Sequence, residues 1–137
     1  MSCEPDTRAT FPFSLVVTGG TAVDRVYPLP GSADMPCGLA GIEASFTVTS
    51  KSGAGVTPVL DCSIQSSPDN FATAGLIKDL IVFTQATATT SGETKQVSEN
   101  DAAVANFGAY RRLHLVADTA SGDVTFGCTV EVILKCR

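Results

Sequence analysis

The feature that most constrains the fold of this chain is a two-residue alternation in its last segment. Every second residue from Val124 to Cys136 is apolar, and the residues between them are mostly polar or small. This period places alternate side chains on opposite faces of a β-strand. One face then packs on a core and the other meets water, so the strand needs a second layer to cover its apolar side. The segment therefore predicts a long, half-buried strand in a layered β domain.

The same alternation recurs along the chain and marks about eight strands. Its other clear instances are residues 42–49, 60–65 and 112–117, and shorter candidates are 13–18, 25–29, 76–85 and 93–98. Turn-forming pairs such as Gly19-Gly20 and Ser91-Gly92 stand between these segments. The sequence therefore predicts an all-β fold, a single antiparallel β-sandwich that is a jelly roll or a related Greek-key arrangement. The turn from Asp118 to Asp123 is predicted to join its two flanking strands as a hairpin.

The length predicts one domain. A chain of 137 residues is one domain long, so residues 1–137 are expected to form a single sandwich. Residues 1–12 are polar and contain two prolines, which predicts an extended N-terminal arm. Residues 30–40 read as a loop of small residues, and residues 98–107 as either a short helix or a loop. Arms and long loops on a rigid sandwich are where binding is expected.

The charge pattern excludes several kinds of partner. The net charge of -5 repels phosphate backbones, so we expect no nucleic acid partner. No stretch of about 18 apolar residues occurs, so we expect no membrane span. Glu4 and Asp6 stand where a signal peptide needs positive charge. The chain is therefore expected to be made and kept in a cytoplasm.

The cysteines predict free thiols. An odd number without a secretion signal argues against a disulfide framework, and the absence of a Cys-x-x-Cys pair argues against zinc. The five are Cys3, Cys37, Cys62, Cys128 and Cys136. Cys62 and Cys128 occupy apolar positions of predicted strands, where a free cysteine behaves as a small buried hydrophobe. Their spacing also resembles that of immunoglobulin domains, but the core Trp of that fold is missing and Phe126 stands in place of its corner Tyr.

No catalytic constellation emerges from the sequence. His114 is the only histidine, and it lies on the outward phase of a strand, which favours a surface role. Asp118 and Asp123 resemble a calcium loop, but they lack the acidic ligand series of an EF-hand and are explained by a turn. A carbohydrate-binding platform has no positive sign, because the chain has no Trp and only two Tyr. We therefore expect no enzymatic activity, no cofactor and no metal.

The densest basic segment is Tyr110-Arg111-Arg112. Arg and Tyr are enriched at the centres of protein interfaces. The alternative interpretation is the start of a strand with solvated charge. The segment is therefore a candidate protein interface.

Three motifs together resemble a known family. They are Val59-Leu60-Asp61-Cys62-Ser63-Ile64-Gln65-Ser66-Ser67-Pro68-Asp69, Phe83-Thr84-Gln85-Ala86-Thr87 and Tyr110-Arg111-Arg112-Leu113-His114-Leu115. Followed by a long last strand, this order resembles the small β-sandwich capsid decoration, or cement, proteins of tailed bacteriophages. The family places a Trp near residues 72–75, where this chain has none.

The resemblance implies a structural virion protein that binds the outer surface of an icosahedral phage head and stabilises it. It implies the major capsid protein as partner, a homo-oligomer with a trimer favoured, and a location on the capsid surface after synthesis in the host bacterial cytoplasm. The candidate interface residues are Tyr110, Arg111, Arg112, Phe11 and Arg8, the last two in the predicted arm. The alternatives are a phage tail or neck component and an immunoglobulin-like or carbohydrate-binding adhesion module.

Overall fold

Eight β-strands make up most of the computed structural model, which describes residues 6–30, 39–98, 100 and 109–136. They are β1 (Thr7–Val17), β2 (Val23–Leu29), β3 (Leu39–Ser52), β4 (Val59–Ser67), β5 (Lys78–Val82), β6 (Glu93–Ser98), β7 (Tyr110–Asp118) and β8 (Val124–Cys136). A single 3-10 turn, Ala74–Leu76, is the only helical element in the described part of the chain. Each strand overlaps one that the alternation predicts, although the bounds differ, most of all for β1, which begins at Thr7 and not at Phe13.

The strands form two antiparallel sheets of four. The β8 sheet has the order β1-β8-β3-β6, and the β7 sheet has the order β2-β7-β4-β5. The first strand pairs with the last, the second with the seventh, the third with the sixth and the fourth with the fifth. A ribbon of such pairs wrapped on itself is the eight-stranded jelly roll. The predicted antiparallel sandwich is confirmed, and the pairing decides for a jelly roll.

The inward faces of both sheets form one core. Leu15, Phe46, Phe126 and Leu113 are among its buried members. Cys62 of the β7 sheet and Cys128 of the β8 sheet are also buried, and both are free thiols, as predicted. Burial raises the pKa of Cys128 to about 11. The pKa of Cys62 is raised further, first by its burial and then by the neighbouring Cys128. Both thiols therefore stay protonated at neutral pH.

The remaining cysteines cannot be compared with the prediction, because Cys3, Cys37 and the side chain of Cys136 lie outside the described residues. For Cys62 and Cys128 the immunoglobulin alternative fails on two counts. The two residues form no disulfide, and the eight strands follow the jelly-roll order and not the seven-strand order of that fold.

The hairpin predicted at residues 118–123 is wrong. β7 and β8 lie in different sheets, so residues 119–123 cross the end of the sandwich. Thr119 Oγ1 donates to the carbonyl oxygen of Val56 at 2.7 Å. The amide of Gly20 donates to the carbonyl oxygen of Gly122 at 2.8 Å. The residues make a turn as expected, but a local turn signal does not specify which sheet receives the next strand.

The N-terminal segment also differs from expectation. Residues 7–12, predicted as an arm, are extended but form the first half of β1 and pair in register with β8. Pro12 is tolerated there because β1 is an edge strand. Residues 1–5 and 31–38, and nearly all of the 98–107 segment, lie outside the described residues.

Candidate protein interface

The most exposed strand of the sandwich is β2. Its residues 24–28 are all exposed, although a strand on a sandwich normally hides alternate side chains. Val26 is 53% exposed and Tyr27 is 44% exposed. β2 forms the edge of the β7 sheet and faces β1, the edge of the other sheet. This side of the molecule, which we call the β1/β2 edge, therefore presents apolar side chains to solvent.

An aromatic cluster joins the two strands of the β1/β2 edge. The Tyr27 ring lies 4.8 Å from the ring of Phe11, tilted by 53°, and 6.2 Å from that of Phe13, almost edge-on. Both geometries are favourable for aromatic pairs. Phe11 and Phe13 are half-buried and pack against the core. Phe11, a predicted interface residue, is thus partly structural and partly accessible.

A pocket opens on the other face of β2. Its volume is about 240 Å³, and β2, the start of β7 and the connection between β4 and β5 enclose it. Its lining is Val26, Pro28, Leu29, Asn70, Phe71, Tyr110, Arg111 and Arg112. We call it the Arg112 pocket. Three of the five predicted interface residues line it: Tyr110 and Arg112 at its surface, and Arg111 beneath.

The Arg112 guanidinium is held in place from two sides. Its carbon lies 4.0 Å from the centroid of the Phe71 ring, a cation–π contact. Its Nε donates to Gln65 Oε1 at 3.0 Å, and Gln65 Nε2 donates to Asp79 Oδ1 at 3.0 Å. The pairing of β4 with β5 shifts between Ile64 and Gln65, and this shift places Asp79 opposite Gln65.

Phe71 reaches Arg112 through a strained turn. Asn70 and Phe71 have φ values of 56° and 64°, which a bulky side chain seldom adopts. Ser67 Oγ stabilises the turn: it accepts from the amides of Asp69 and Phe71 at 3.2 and 2.9 Å and donates to Asp69 Oδ1 at 2.8 Å. Hydrogen bonds from Thr73 and then Ser67 lower the pKa of Asp69, so its carboxylate stays charged and in place.

Arg111 does not belong to the exposed site. It is 1% exposed, and its Nε and Nη2 donate to the carbonyl oxygen of Pro30 at 3.1 and 2.8 Å. Neighbouring residues on a strand point to opposite faces, so Tyr110 and Arg112 face outward while Arg111 faces inward. The predicted interface is therefore corrected at Arg111, which is an internal residue that ties β7 to the end of β2.

Arg8 lies elsewhere. Its Nη1 donates to Glu131 Oε1 at 2.9 Å on the outer face of the β8 sheet, where both side chains are solvent-accessible. An exposed pair of this kind contributes little to stability. The structure thus brings Tyr110 and Arg112 together, places Phe11 across β2 from them, and leaves Arg8 on the opposite sheet.

Three residues of this region were not predicted: Val26, Tyr27 and Phe71. For β2 a signal exists, because Asp24, Arg25 and Pro28 interrupt the apolar pattern of the segment and are typical of an edge strand. For Phe71 the sequence carries no such signal. Its contact with Arg112 depends on a turn conformation and on a partner 41 positions along the chain.

The polar residues considered for chemistry have structural partners. His114 Nε2 lies 2.8 Å from Asp24 Oδ1, which links β7 to β2. Asp118 and Asp123 accept hydrogen bonds from the amides of Thr119 and Gly19, both at 2.8 Å. Within the described ranges, no group of three or more His, Cys, Asp or Glu residues is arranged to hold a metal. In the same ranges no helix is long and apolar enough to cross a bilayer.

Comparison with known proteins relates this chain to others by fold alone. No family model and no curated protein sequence matches it. The VP2 subviral particle of infectious bursal disease virus matches 98% of this chain and 34% of the viral chain, with a TM-score of 0.56 and 8% identity. T=1 particles derived from the same virus match 98% of this chain and 33% of the viral chain, with a TM-score of 0.55 and 10% identity. A protein of disulfide-linked Bacillus endospore appendages matches 100% of this chain and 93% of its own chain, with a TM-score of 0.46 and 13% identity.

The viral matches concern one part of a larger protein, because this chain spans about a third of the length of the VP2 chains that it matches. At 8–10% identity they show a shared fold. The jelly roll of this chain is therefore an arrangement that also occurs in a protein of viral particles.

Proposed function

We propose that this protein is a structural component of a virus particle, a decoration or cement protein that binds the outer surface of an icosahedral phage head. The observation that carries the proposal is the jelly-roll fold, which matches VP2 of a viral particle over 98% of this chain. Jelly rolls also serve as lectin and cupin domains. The motif resemblance to phage decoration proteins favours the virion among these uses.

The β1/β2 edge is the surface we assign to the contact with the head. It combines exposed Val26 and Tyr27 with the Arg112 pocket, and aromatic residues and Arg are the usual centres of interfaces. A modest contact suffices, because many equivalent copies that bind only the assembled shell stabilise it by mass action. The net charge of -5 keeps the unbound protein soluble.

The proposed partners are the major capsid protein and further copies of this chain. The resemblance favours a trimer, and a trimer multiplies a weak single contact through effective concentration. Native mass spectrometry of the purified protein measures this directly. A strictly monomeric protein at micromolar concentration would remove the trimer from the proposal and leave single-copy binding to the shell.

The decisive experiment uses phage heads assembled without this protein. Purified protein is added to tailed particles that carry such heads, and the particles are imaged by electron cryo-microscopy, with icosahedral averaging for the head and without it for the tail and neck. We expect ordered density on the outer surface of the shell and a higher temperature of genome release. Density confined to the tail or neck would assign the protein there instead, and bare heads at saturating protein would refute the proposal.

A further inference from the structure

The Arg112 pocket is a small, preorganised cleft whose chemistry is unused within the described fold. Its volume of about 240 Å³ lies below the roughly 300–1,000 Å³ of clefts that enclose a small-molecule ligand. The space fits one or two side chains of a bound polypeptide. Its accessible rim is apolar, with Val26 53% and Tyr110 44% exposed.

The guanidinium of Arg112 supplies the polar part of the pocket. Among the described residues its hydrogen bond goes from Nε to Gln65, and its flat face rests on Phe71. The two terminal nitrogens make no hydrogen bond to a described residue. A planar guanidinium that is already oriented binds a carboxylate with two parallel hydrogen bonds and loses little freedom in doing so.

The strained turn at Phe71 is a second, separate observation. Two successive residues with positive φ persist only where the surroundings over-determine them, and such strain clusters at ligand-binding sites. Here the strain has a visible result: it puts an aromatic ring under the cation. The Ser67 hydroxyl, which accepts two amides of this turn, is itself buried.

The charge balance selects the ligand. Asp24 is paired with His114 and Asp79 accepts from Gln65, so neither of these two carboxylates pairs with the terminal nitrogens of Arg112. Phosphate recognition in proteins uses clusters of Arg, whereas the second Arg of this pocket is buried against Pro30. A single available guanidinium beside an apolar rim matches a monoanionic carboxylate next to an apolar group.

We propose that the Arg112 pocket binds an acidic side chain of a partner polypeptide, with an apolar neighbour of that residue seated on Val26 and Tyr110. The acid pairs with the terminal nitrogens of Arg112. The binding of an acidic side chain in this pocket does not depend on the capsid. Only the identification of the partner as a capsid protein rests on the function proposed above.

The test uses a capped pentapeptide of sequence alanine-leucine-glutamate-leucine-alanine and its glutamine counterpart. Each is titrated into the isotope-labelled protein, and amide chemical shifts are followed. We expect saturable shifts confined to residues 26, 27, 29, 70–71 and 110–112, with the glutamine peptide binding about tenfold more weakly. Equal binding of the two peptides, or shifts spread over both sheets, would overturn the proposal.

Three variants sharpen the result. R112Q is expected to weaken binding of the glutamate peptide about tenfold, so that the protein no longer prefers it over the glutamine peptide. R112K keeps the charge but loses the two-point geometry, so an intermediate affinity is expected. R8Q removes a cation from the opposite sheet and should leave binding unchanged. Unchanged binding in R112Q, or equal losses in R8Q and R112Q, would contradict the assignment, and thermal unfolding confirms that each variant is folded.

The outcome is separable from that of the capsid experiment. Peptide binding without head binding would retain the pocket and reject the virion role. Head binding that R112Q leaves intact, without peptide binding, would retain the virion role and reject the pocket.

Discussion

The two lateral edges of the sandwich are closed in different ways. At the β5/β6 edge, Lys95 Nζ donates to the carbonyl oxygen of Val82 at 2.9 Å, and the Glu93 carboxylate accepts from the amide and hydroxyl of Thr84 at 2.8 and 2.7 Å. Phe46 and Phe83 are buried beneath, with their rings 5.5 Å apart. The β1/β2 edge has instead half-buried and exposed aromatic rings.

The difference teaches how a jelly roll manages its open edges. Charged residues on an edge strand discourage pairing with another chain, and both edges carry them. The β1/β2 edge keeps prolines at residues 12 and 28, which also discourage strand pairing, but it leaves apolar surface available. The β5/β6 edge is therefore closed by polar contacts over buried rings, and the β1/β2 edge is the one that we propose for contact with a partner.

The largest expected effect concerns the aromatic residues of the two edges. F83A empties a buried site and should lower the free energy of unfolding by about 3–5 kcal/mol. F11A removes a half-buried ring and should cost about 1–2 kcal/mol. Urea unfolding of both variants measures the difference. Equal losses would show that the β1/β2 edge is as tightly packed as the other.

A second pair of variants separates two adjacent arginines. R111A removes the guanidinium that donates hydrogen bonds to the Pro30 carbonyl oxygen. It should destabilise the protein by about 1–3 kcal/mol. R112A removes a half-buried side chain that no buried group depends on, and it should cost about 1 kcal/mol or less. Denaturant midpoints decide between them, and a larger loss for R112A would reverse the assignment of internal and external roles.

The proposed contact role of the β1/β2 edge is tested with two valines matched in exposure. Val26 and Val82 are each 53% exposed on opposite edge strands of the same sheet. V26D should weaken binding to phage heads by at least about tenfold, because it places a charge in an apolar contact. V82D should bind like the natural protein. Co-sedimentation with heads measures both, and a loss in V82D alone would move the interface to the other edge.

The smallest expected effect is a pH dependence at the β5/β6 edge. Hydrogen bonds from the Thr84 amide and then its hydroxyl lower the pKa of Glu93. A lowered folded-state pKa contributes stability that is present above the ordinary pKa and is lost as the pH falls through the folded value. E93Q should therefore flatten the acid side of the stability curve. Asp69 also has a lowered pKa, so D69N is the control that isolates its share.

The sequence predicted the strands and their inward phases well. Alternation located all eight strands, including the edge strands, and the burial of Cys62 and Cys128. Composition also suggested Tyr110 and Arg112 as interface residues, and this stays a prediction. Arg111 was grouped with them for the same reason, although it shares the inward phase of Leu113 and Leu115. Applied to this residue, the two-residue period would have predicted its burial.

The sequence by itself determined which segments are strands and which side chains face the core, because a period of two depends only on neighbours along the chain. The tertiary structure decided that β7 and β8 part into different sheets, that residues 7–12 join β1, and that Phe71 lies beneath Arg112. Each of these outcomes depends on pairings between distant segments. Local patterns do not specify such pairings, since many strand orders satisfy the same alternation.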